Sequence, residues 1–397
     1  MENDTNPIID LLGRRLRLAV IGGGPGSFIG AMHRAAARLD NRFEIVAGAL
    51  SSDVNRSREA GRALGLAPDR AYGNATELLD AEAARDDGAE AVAIMTPNDS
   101  HHEYSVAALD RGFDIICDKP MTNTLAEALD LHSRVRETGL VFCLTHNYTG
   151  YPMVRQARAM IEDGQLGEIR FAQVEYVQGA RAQEQPEQSG NDLPWRHDPE
   201  RGGPSLVLGD IGSHAHNLVR FVTGLEVSEV AAEVGTIVPN RRFQDFAGAM
   251  LRFEGGARGN FWVTQAAPGF ENSLRVRVCG SKASLEWEQE RPTFLSFNPI
   301  DKPAEVRTSN GPGTLQPAAR ATRMIKGHPD GYLEGFATLY SDCAEAIAAR
   351  RSGTSADPLA MHFPNSKDGL LGVRFAEAAL ASTAANGAWT STRLDGP

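Results

Sequence analysis

The sequence predicts an α/β protein of two domains. A doubly wound parallel sheet spans residues 1–147, and an α/β domain with a large, mostly antiparallel open sheet follows over 148–397. Three observations carry this. Short β-favouring runs alternate with helical stretches as far as Leu144, the rhythm of a parallel sheet covered on both faces. A glycine-rich turn separates the first run from the first helix. Further on, one strand-like run follows another without a helix between, as in an antiparallel sheet with one face free to cover something. A chain of 397 residues is also too long for one ordinary core.

The first strand is Leu16-Arg17-Leu18-Ala19-Val20-Ile21, and an Ala-rich helix is expected over 31–39. Between them lies Gly22-Gly23-Gly24-Pro25-Gly26-Ser27-Phe28-Ile29-Gly30. Glycines in such a turn let the backbone approach a pyrophosphate, whose charge then sits at the helix N-terminus. Gly22 and Gly24 supply the first two glycines of the short dinucleotide pattern, Ser27 fills the next slot, and Gly30 is the displaced third. Gly22, Gly24, Ser27, Phe28 and Ile29 are therefore candidate cofactor residues. A purely steric turn is the alternative; the place after the first strand of a βαβ series favours the dinucleotide.

A second strand is expected over 43–50 and a helix over 56–64. The ribose-recognition slot lies about 20 residues past the glycines. This chain offers Ser51, Ser52 and Asp53 there, with Arg56 close behind. Hydroxyls plus an arginine favour a 2′-phosphate, hence NADP over NAD, whereas a carboxylate would repel it. The other reading is that Ser51-Ser52-Asp53 caps the following helix.

Strands over 91–95 and 114–117 flank a helix over 102–111. Thr96-Pro97-Asn98 follows the first of these directly, so Asn98 and His101 sit at the crevice edge, where an amide can bond a ribose or a carboxamide. Asn98 or Asp99 as a helix N-cap is the alternative. The next strand runs into Cys117-Asp118-Lys119-Pro120. Proline forbids αR before it and cannot donate to a ladder, so the chain turns and delivers Lys119 to the ligand side of the sheet. A helix over 125–138 and a strand over 140–144 complete this half.

In the second half a helix over 152–163 precedes a strand over 169–178 and a polar loop over 179–191. Further strands are expected over 227–234, 246–253, 257–265, 273–278 and 283–288, and late helices over 332–349 and 368–384. Gly209-Asp210-Ile211-Gly212-Ser213-His214-Ala215-His216-Asn217 opens into the helical 218–223. On a helix Asp210 and His214, four apart, share one face, and a carboxylate orients a histidine and raises its basicity. Helix capping by Asp210 with a packed His214 is one alternative. Metal binding with His216 is another, but the spacing takes His216 off that face and no further ligand cluster is evident.

The net charge of −11 argues against a nucleic-acid or anionic-membrane partner. The start Met1-Glu-Asn-Asp lacks the basic and apolar regions of a signal peptide, and no apolar run approaches a membrane span. Cys117, Cys143, Cys279 and Cys343 are far apart and read as buried thiols of a cytoplasmic protein.

With these motifs in this order, the chain resembles the Gfo/Idh/MocA family of NAD(P)-dependent sugar and cyclitol oxidoreductases. The residues that carry the resemblance are 21–30, Thr96-Pro97-Asn98-Asp99-Ser100-His101, Cys117-Asp118-Lys119-Pro120, His146-Asn147-Tyr148, Trp195-Arg196 and 209–214. The family implies an N-terminal Rossmann domain and a C-terminal α/β domain whose open sheet often forms the interface of a homo-oligomer. By resemblance, Lys119 lies beside the nicotinamide and the reacting hydroxyl, before a usually cis Pro120. Asp210 and His214 match the family's Asp-x-x-x-His, with the histidine as acid/base. Thr96, Pro97, Asn98 and His101 match its cofactor motif. In three places the chain departs: Asp118 replaces a glutamate that contacts the nicotinamide ribose, the phosphate loop is longer, and Thr149 stands where many relatives carry arginine.

The expected reaction is reversible oxidation of a secondary hydroxyl on a sugar, glycoside or cyclitol. A histidine base, a lysine against alkoxide charge and a dinucleotide are a sufficient set for it. Tyr148, Trp195, Arg196 and His328 are candidates for the substrate wall: the indole offers a flat apolar face and the guanidinium offers donors. A loop anchor is the other reading of Trp195-Arg196, and a turn and cap that of His328. Redox-neutral cleavage of a glycosidic bond by transient oxidation and a non-catalytic dinucleotide sensor are the rival functions.

Overall fold

A computed structural model of the protein describes residues 6–183 and 194–394. The chain start, residues 184–191 of the expected polar loop, and Leu193 lie outside the described residues. The chain forms two compact units, one of Met1–Thr122, Ala126–Asn147 and Leu333–Gly369, the other of Asn123–Leu125, Tyr148–Tyr332 and Leu370–Pro397.

In the first unit, α1 (Pro7–Leu12), β1 (Leu16–Gly22), α2 (Phe28–Leu39), β2 (Phe43–Ala49) and α3 (Val54–Ala63) follow in order. Then come α4 (Ala75–Ala83), β3 (Ala91–Met95), α5 (His101–Leu109), β4 (Asp114–Cys117), α6 (Leu125–Thr138) and β5 (Phe142–Leu144). The sheet is parallel throughout, in the order β2-β1-β3-β4-β5. Every residue of β3, β4 and β5 is buried, as a sheet covered on both faces demands. A lone parallel bridge, Gly48 to Ala71, stands outside β2 where a further strand would pair. Strand order reverses between β1 and β3, which opens the ligand crevice past their carboxyl ends.

Helix α2 begins three residues before its expected start, because Ser27 caps it: Gly30 N donates to Ser27 Oγ at 3.1 Å. Asp53 caps α3 in the same way, accepting from Arg56 N at 2.8 Å. The capping reading of Asp53 therefore holds. At the amino ends of the strands, buried Glu90 accepts from Arg14 at 2.7 and 2.8 Å and from Arg17 N at 3.0 Å.

The second unit contains α7 (Pro152–Glu162), β6 (Ile169–Val177), α8 (Pro199–Gly202), α9 (Ser213–Thr223), β7 (Val227–Gly235), β8 (Phe246–Phe253) and β9 (Arg258–Thr264). After them come β10 (Ser273–Gly280), β11 (Ala283–Glu288), β12 (Phe294–Pro299), β13 (Glu305–Thr308), α10 (Gln316–Ala321) and, near the chain end, β14 (Thr390–Ser391). The sheet order is β13-β12-β11-β10-β6-β9-β8-β7-β14, antiparallel except for the parallel pair β6 and β9. One face carries the core, with Val174, Phe261, Val276, Leu285 and Trp287 against Val154, Leu218 and Val219. β12, β13 and β14 are strands beyond those expected from the sequence. They lie towards the sheet edges; β13 and β14 bury no residue, and β12 buries only Leu295 and Phe297.

Two late helices complete the chain, α11 (Tyr332–Ser352) and α12 (Ser366–Ala384). A division at residue 147 leaves out two excursions: Asn123–Leu125 groups with the second unit, and Leu333–Gly369 packs within the first. The cause of the latter is an apolar face on α11 that meets the first unit: Phe336 packs on the His33 ring at 5.1 Å and Tyr340 on Phe43 at 5.7 Å. Arg350 and Arg351 add ion pairs to buried Asp114 and Glu90 at 2.7 and 2.9 Å. Cys117, Cys143 and Cys343 are buried as expected, but Cys279, near the end of β10, is only half-buried. No helix among the described residues is long and apolar enough to cross a membrane.

Candidate active site

The turn after β1 is built for close approach. Gly22, Gly23 and Gly26 have φ of 78°, 62° and 87°, a region L side chains avoid. A Cβ at Gly24 would lie 2.4 Å from Leu50 O, and one at Gly30 would lie 2.1 Å from Gly23 O. Gly30 thus packs α2 closely against the turn at Gly23, the part of a third glycine, from inside the first turn of the helix. Arg34 donates to the Gly23 carbonyl and holds the turn down. A Cβ at Gly26 would meet no heavy atom of the described residues within 4 Å, so the outer side of the turn is open. This cradle, closed beneath and open above, with Ser27, Phe28 and Ile29 at a helix N-terminus, fits a dinucleotide pyrophosphate.

Ser51, Ser52 and Arg56 lie together between the end of β2 and the first turn of α3, with Arg56 exposed. Past β3, Thr96 and Pro97 lead into a 3-10 turn over Asn98–Ser100. Ser100, not Asn98 or Asp99, occupies the N-cap of α5, and its Oγ lies 2.8 Å from both Thr96 Oγ1 and Pro97 O.

His101, expected at the cofactor, is fully buried, with Nδ1 2.8 Å from Pro120 O and Nε2 3.0 Å from Thr96 O. It ties the exit of β3 to the turn that carries Lys119, and so positions that turn. Lys119 itself is half-buried, directly past β4, and its bond to Pro120 is cis.

Asp118 accepts from Thr145 Oγ1 at 3.0 Å, and His33 Nε2 lies 3.8 Å from its Oδ1, an ion-pair rather than a hydrogen-bond distance. Burial pushes this carboxyl up, but His33 facing it, with Lys119 and His101 nearby, outweighs burial and holds it well below the usual carboxylate range. Fully buried His33 is in turn fixed by Tyr340, whose hydroxyl is 2.8 Å from Nδ1. The shorter side chain of Asp118 is thereby committed to His33 and Thr145, both within the first unit.

In the second unit, Asp210 lies in a π-helical turn over Leu208–Gly212 that feeds α9, and His214 is the second residue of α9. Such widened turns recur at functional sites, because they re-aim side chains within one helix. Asp210 thus lies inside a helical run that is continuous into α9, so it does not cap that helix. Asp210 Oδ2 instead accepts from Gln265 Nε2 at 2.9 Å. His214 is buried, with the Tyr148 ring edge-on at 4.9 Å and Tyr176 at 6.5 Å. His216 stacks on Phe375 at 4.4 Å as a core residue. Among the described residues no group of three or more His, Cys, Asp or Glu side chains could hold a metal.

Behind this pair runs a buried polar network. Tyr148 and Tyr176 share a hydroxyl contact of 2.6 Å, Tyr176 donates to Asn272 Oδ1 at 2.8 Å, and Gln178 Nε2 donates to the same oxygen at 2.6 Å. Gln265 Nε2 also reaches Gln178 Oε1 at 3.3 Å. Tyr148, expected as substrate wall, is buried, its hydroxyl between Tyr176 and Asn272 and its ring against His214. Burial pushes the hydroxyls of Tyr148 and Tyr176 above their ordinary range, keeping both protonated as donors. Trp195 is half-buried, with the exposed Arg196 guanidinium 4.3 Å over its ring. His328 is exposed on a turn, its N–H donating to Ile325 O at 3.1 Å.

Sequence reading missed Gln178, Gln265 and Asn272, although a signal existed. Each continues the inward-facing alternation of its strand by one step: Val174-x-Tyr176-x-Gln178, Phe261-x-Val263-x-Gln265 and Asn272-x-Leu274. A polar residue on the apolar phase at a strand end marks a place where the core gives way to a site.

Residues 16–146 match the oxidoreductase family with an NAD-binding Rossmann fold, and residues 154–286 match the GFO/IDH/MocA C-terminal domain. An oxidoreductase from Sinorhizobium meliloti of known structure is 46% identical, with a TM-score of 0.86 over 95% of this chain and 99% of that one. An inositol dehydrogenase homolog from Azotobacter vinelandii, solved with NADH and myo-inositol, is 34% identical, with a TM-score of 0.87 over 95% and 98% of the two chains. The uncharacterized oxidoreductase YfiI of Bacillus subtilis (strain 168) is 31% identical over 96% of this chain and 97% of its own.

Proposed function

Given that the chain belongs to the Gfo/Idh/MocA family of NAD-dependent oxidoreductases, we propose that it oxidises a secondary hydroxyl of a sugar or cyclitol at a Lys119–Asp210–His214 site. The observation that carries this reading is the setting of the Asp210–His214 turn. One carboxylate oxygen is held by Gln265 and the buried histidine ring is braced by Tyr148, so both side chains are pre-organised beside a polar network.

In this reading His214, oriented by Asp210, takes the hydroxyl proton, and the Lys119 ammonium stabilises alkoxide character on the same oxygen. Bound NAD supplies the hydride acceptor. Gly22, Gly24, Ser27, Phe28 and Ile29 would hold its pyrophosphate, and Asn98 a ribose. His101 keeps the Lys119 turn in place, and Trp195 and Arg196 face the ring and hydroxyls of the substrate. Ser51, Ser52 and Arg56 support use of NADP as well, because hydroxyls and a guanidinium suit a 2′-phosphate. The free thiols and the acidic chain support a cytoplasmic setting. Met250 and Trp262, exposed on the face of the nine-stranded sheet turned away from the core, support a homo-oligomer.

The test is turnover of inositols, free sugars and glycosides with NAD and with NADP, followed by nicotinamide absorbance. Lys119→Met and His214→Asn are each expected to lower kcat by about 10²- to 10⁴-fold while leaving dinucleotide binding near parent strength. Parent-level turnover in both variants overturns the site. Release of free sugar without net NADH would replace dehydrogenation by redox-neutral cleavage.

A further inference from the structure

We propose that the side-chain amide of Asn147 is the docking point for the carboxamide of the bound nicotinamide. Asn147 lies past the carboxyl end of β5 and is 1% exposed. Among the described residues, neither its Nδ2 nor its Oδ1 has a hydrogen-bond partner. Nearly all buried side-chain polar atoms in native proteins are paired, so an amide left open at both ends calls for a partner. That partner must offer an acceptor and a donor side by side. A primary carboxamide does so, receiving from Nδ2 and donating to Oδ1.

The sheet topology puts the right end of the cofactor there. The ribose-recognition residues Ser51 and Ser52 follow β2, and the pyrophosphate cradle follows β1. In the order β2-β1-β3-β4-β5, the other half of an extended dinucleotide falls across the tips of β3, β4 and β5. Those tips carry Asn98, Lys119 and Asn147. The β5 exit is also tied to the β4 exit: Thr145 N donates to Cys117 O at 3.0 Å, and Thr145 Oγ1 donates to Asp118 Oδ1 at 3.0 Å. Asn147 follows Thr145 by two residues, and its own N–H returns to Thr145 O at 2.9 Å. The backbone that presents this amide is therefore fixed to the strand end that presents Lys119. His33 and Tyr340 anchor Asp118 from the other side, so the amide belongs to a rigid rim.

This inference rests on the dinucleotide reading of the first unit, and a binding assay separates the two. The full chain is titrated by nicotinamide fluorescence with NADH and with the reduced 3-acetylpyridine analogue, whose methyl ketone keeps the acceptor and lacks the amide donor. The parent is expected to bind NADH about tenfold tighter than the analogue. Asn147→Leu should weaken NADH about tenfold and bring the two ligands to near-equal affinity. Asn147→Asp, which accepts but does not donate, should weaken NADH and still prefer it to the analogue. Parent-like NADH affinity in Asn147→Leu, or equal weakening of both ligands in it, overturns the assignment. A parent that binds neither ligand overturns the dinucleotide reading itself and this assignment with it.

Discussion

A single glutamine links the second-unit sheet to Asp210, the carboxylate proposed to orient the base. Gln265 donates to Asp210 at 2.9 Å, and its own Oε1 is buried without a hydrogen-bond partner among the described residues. Replacing Gln265 by Glu sets a second carboxylate against Asp210 at similar volume. Two carboxylates that share a site raise the pKa of one of them. The acid limb of the kcat/KM profile of Gln265→Glu should therefore move up by about one pH unit or more. Unmoved limbs in Gln265→Glu would mean that this bond is structural only. Asp118 shows the same dependence on neighbours. Read along the chain, it is a shortened glutamate; in space it is half of a buried pair with His33, 85 positions earlier by the numbering of the two residues.

At the scale of an element, the short turn Trp195–His197 is held by charge as much as by packing. His197 is buried, lies 4.3 Å from the Phe243 ring, and faces Arg181 with Nε2 at 2.5 Å. Burial first, then Arg181, Arg241 and Arg196, pushes its pKa down to about 4. A histidine whose folded pKa lies below its unfolded value near 6.5 contributes stability above about pH 6.5 and loses it as pH falls towards the folded pKa. Thermal melts of the parent between pH 7 and pH 4.5 should therefore fall more steeply than those of His197→Gln, which still accepts from Arg181. Parallel slopes would remove His197 from the acid response. The turn carries Trp195 and Arg196, so its acid sensitivity bears directly on the proposed substrate wall. Local pattern revealed the residues of this turn, but none of its three arginine neighbours except Arg196 is close in sequence.

At the scale of the whole molecule, the face of the nine-stranded sheet turned away from the core sets the prediction. Met250 on β8 and Trp262 on β9 are 51% and 42% exposed, beside an ion-pair ladder of Arg275 with Glu175, Glu286 and Glu288. Large apolar side chains on a flat, ordered sheet favour self-association. In sedimentation velocity the parent should run as an oligomer, and Trp262→Glu with Met250→Glu should run smaller without loss of thermal stability. A monomeric parent at micromolar concentration would sink this reading.

The sequence by itself determined the parallel sheet, the glycine turn, the Lys119-Pro120 punctuation and the Asp210/His214 spacing. Each of these is local: strand runs, turn glycines and helical spacing act over a few residues and are written in consecutive positions. Only the tertiary structure decided that α11 joins the first unit, that His101 ties the Lys119 turn to the exit of β3, and that Gln265, Gln178 and Asn272 meet behind Asp210. It also decided that Asn147 is buried with both ends of its amide open. These are consequences of parallel crossovers and long-range strand pairing, which bring residues tens to hundreds of positions apart to one sheet edge. No local pattern encodes which polar group will find a partner there, because burial and pairing exist only once the sheets are assembled.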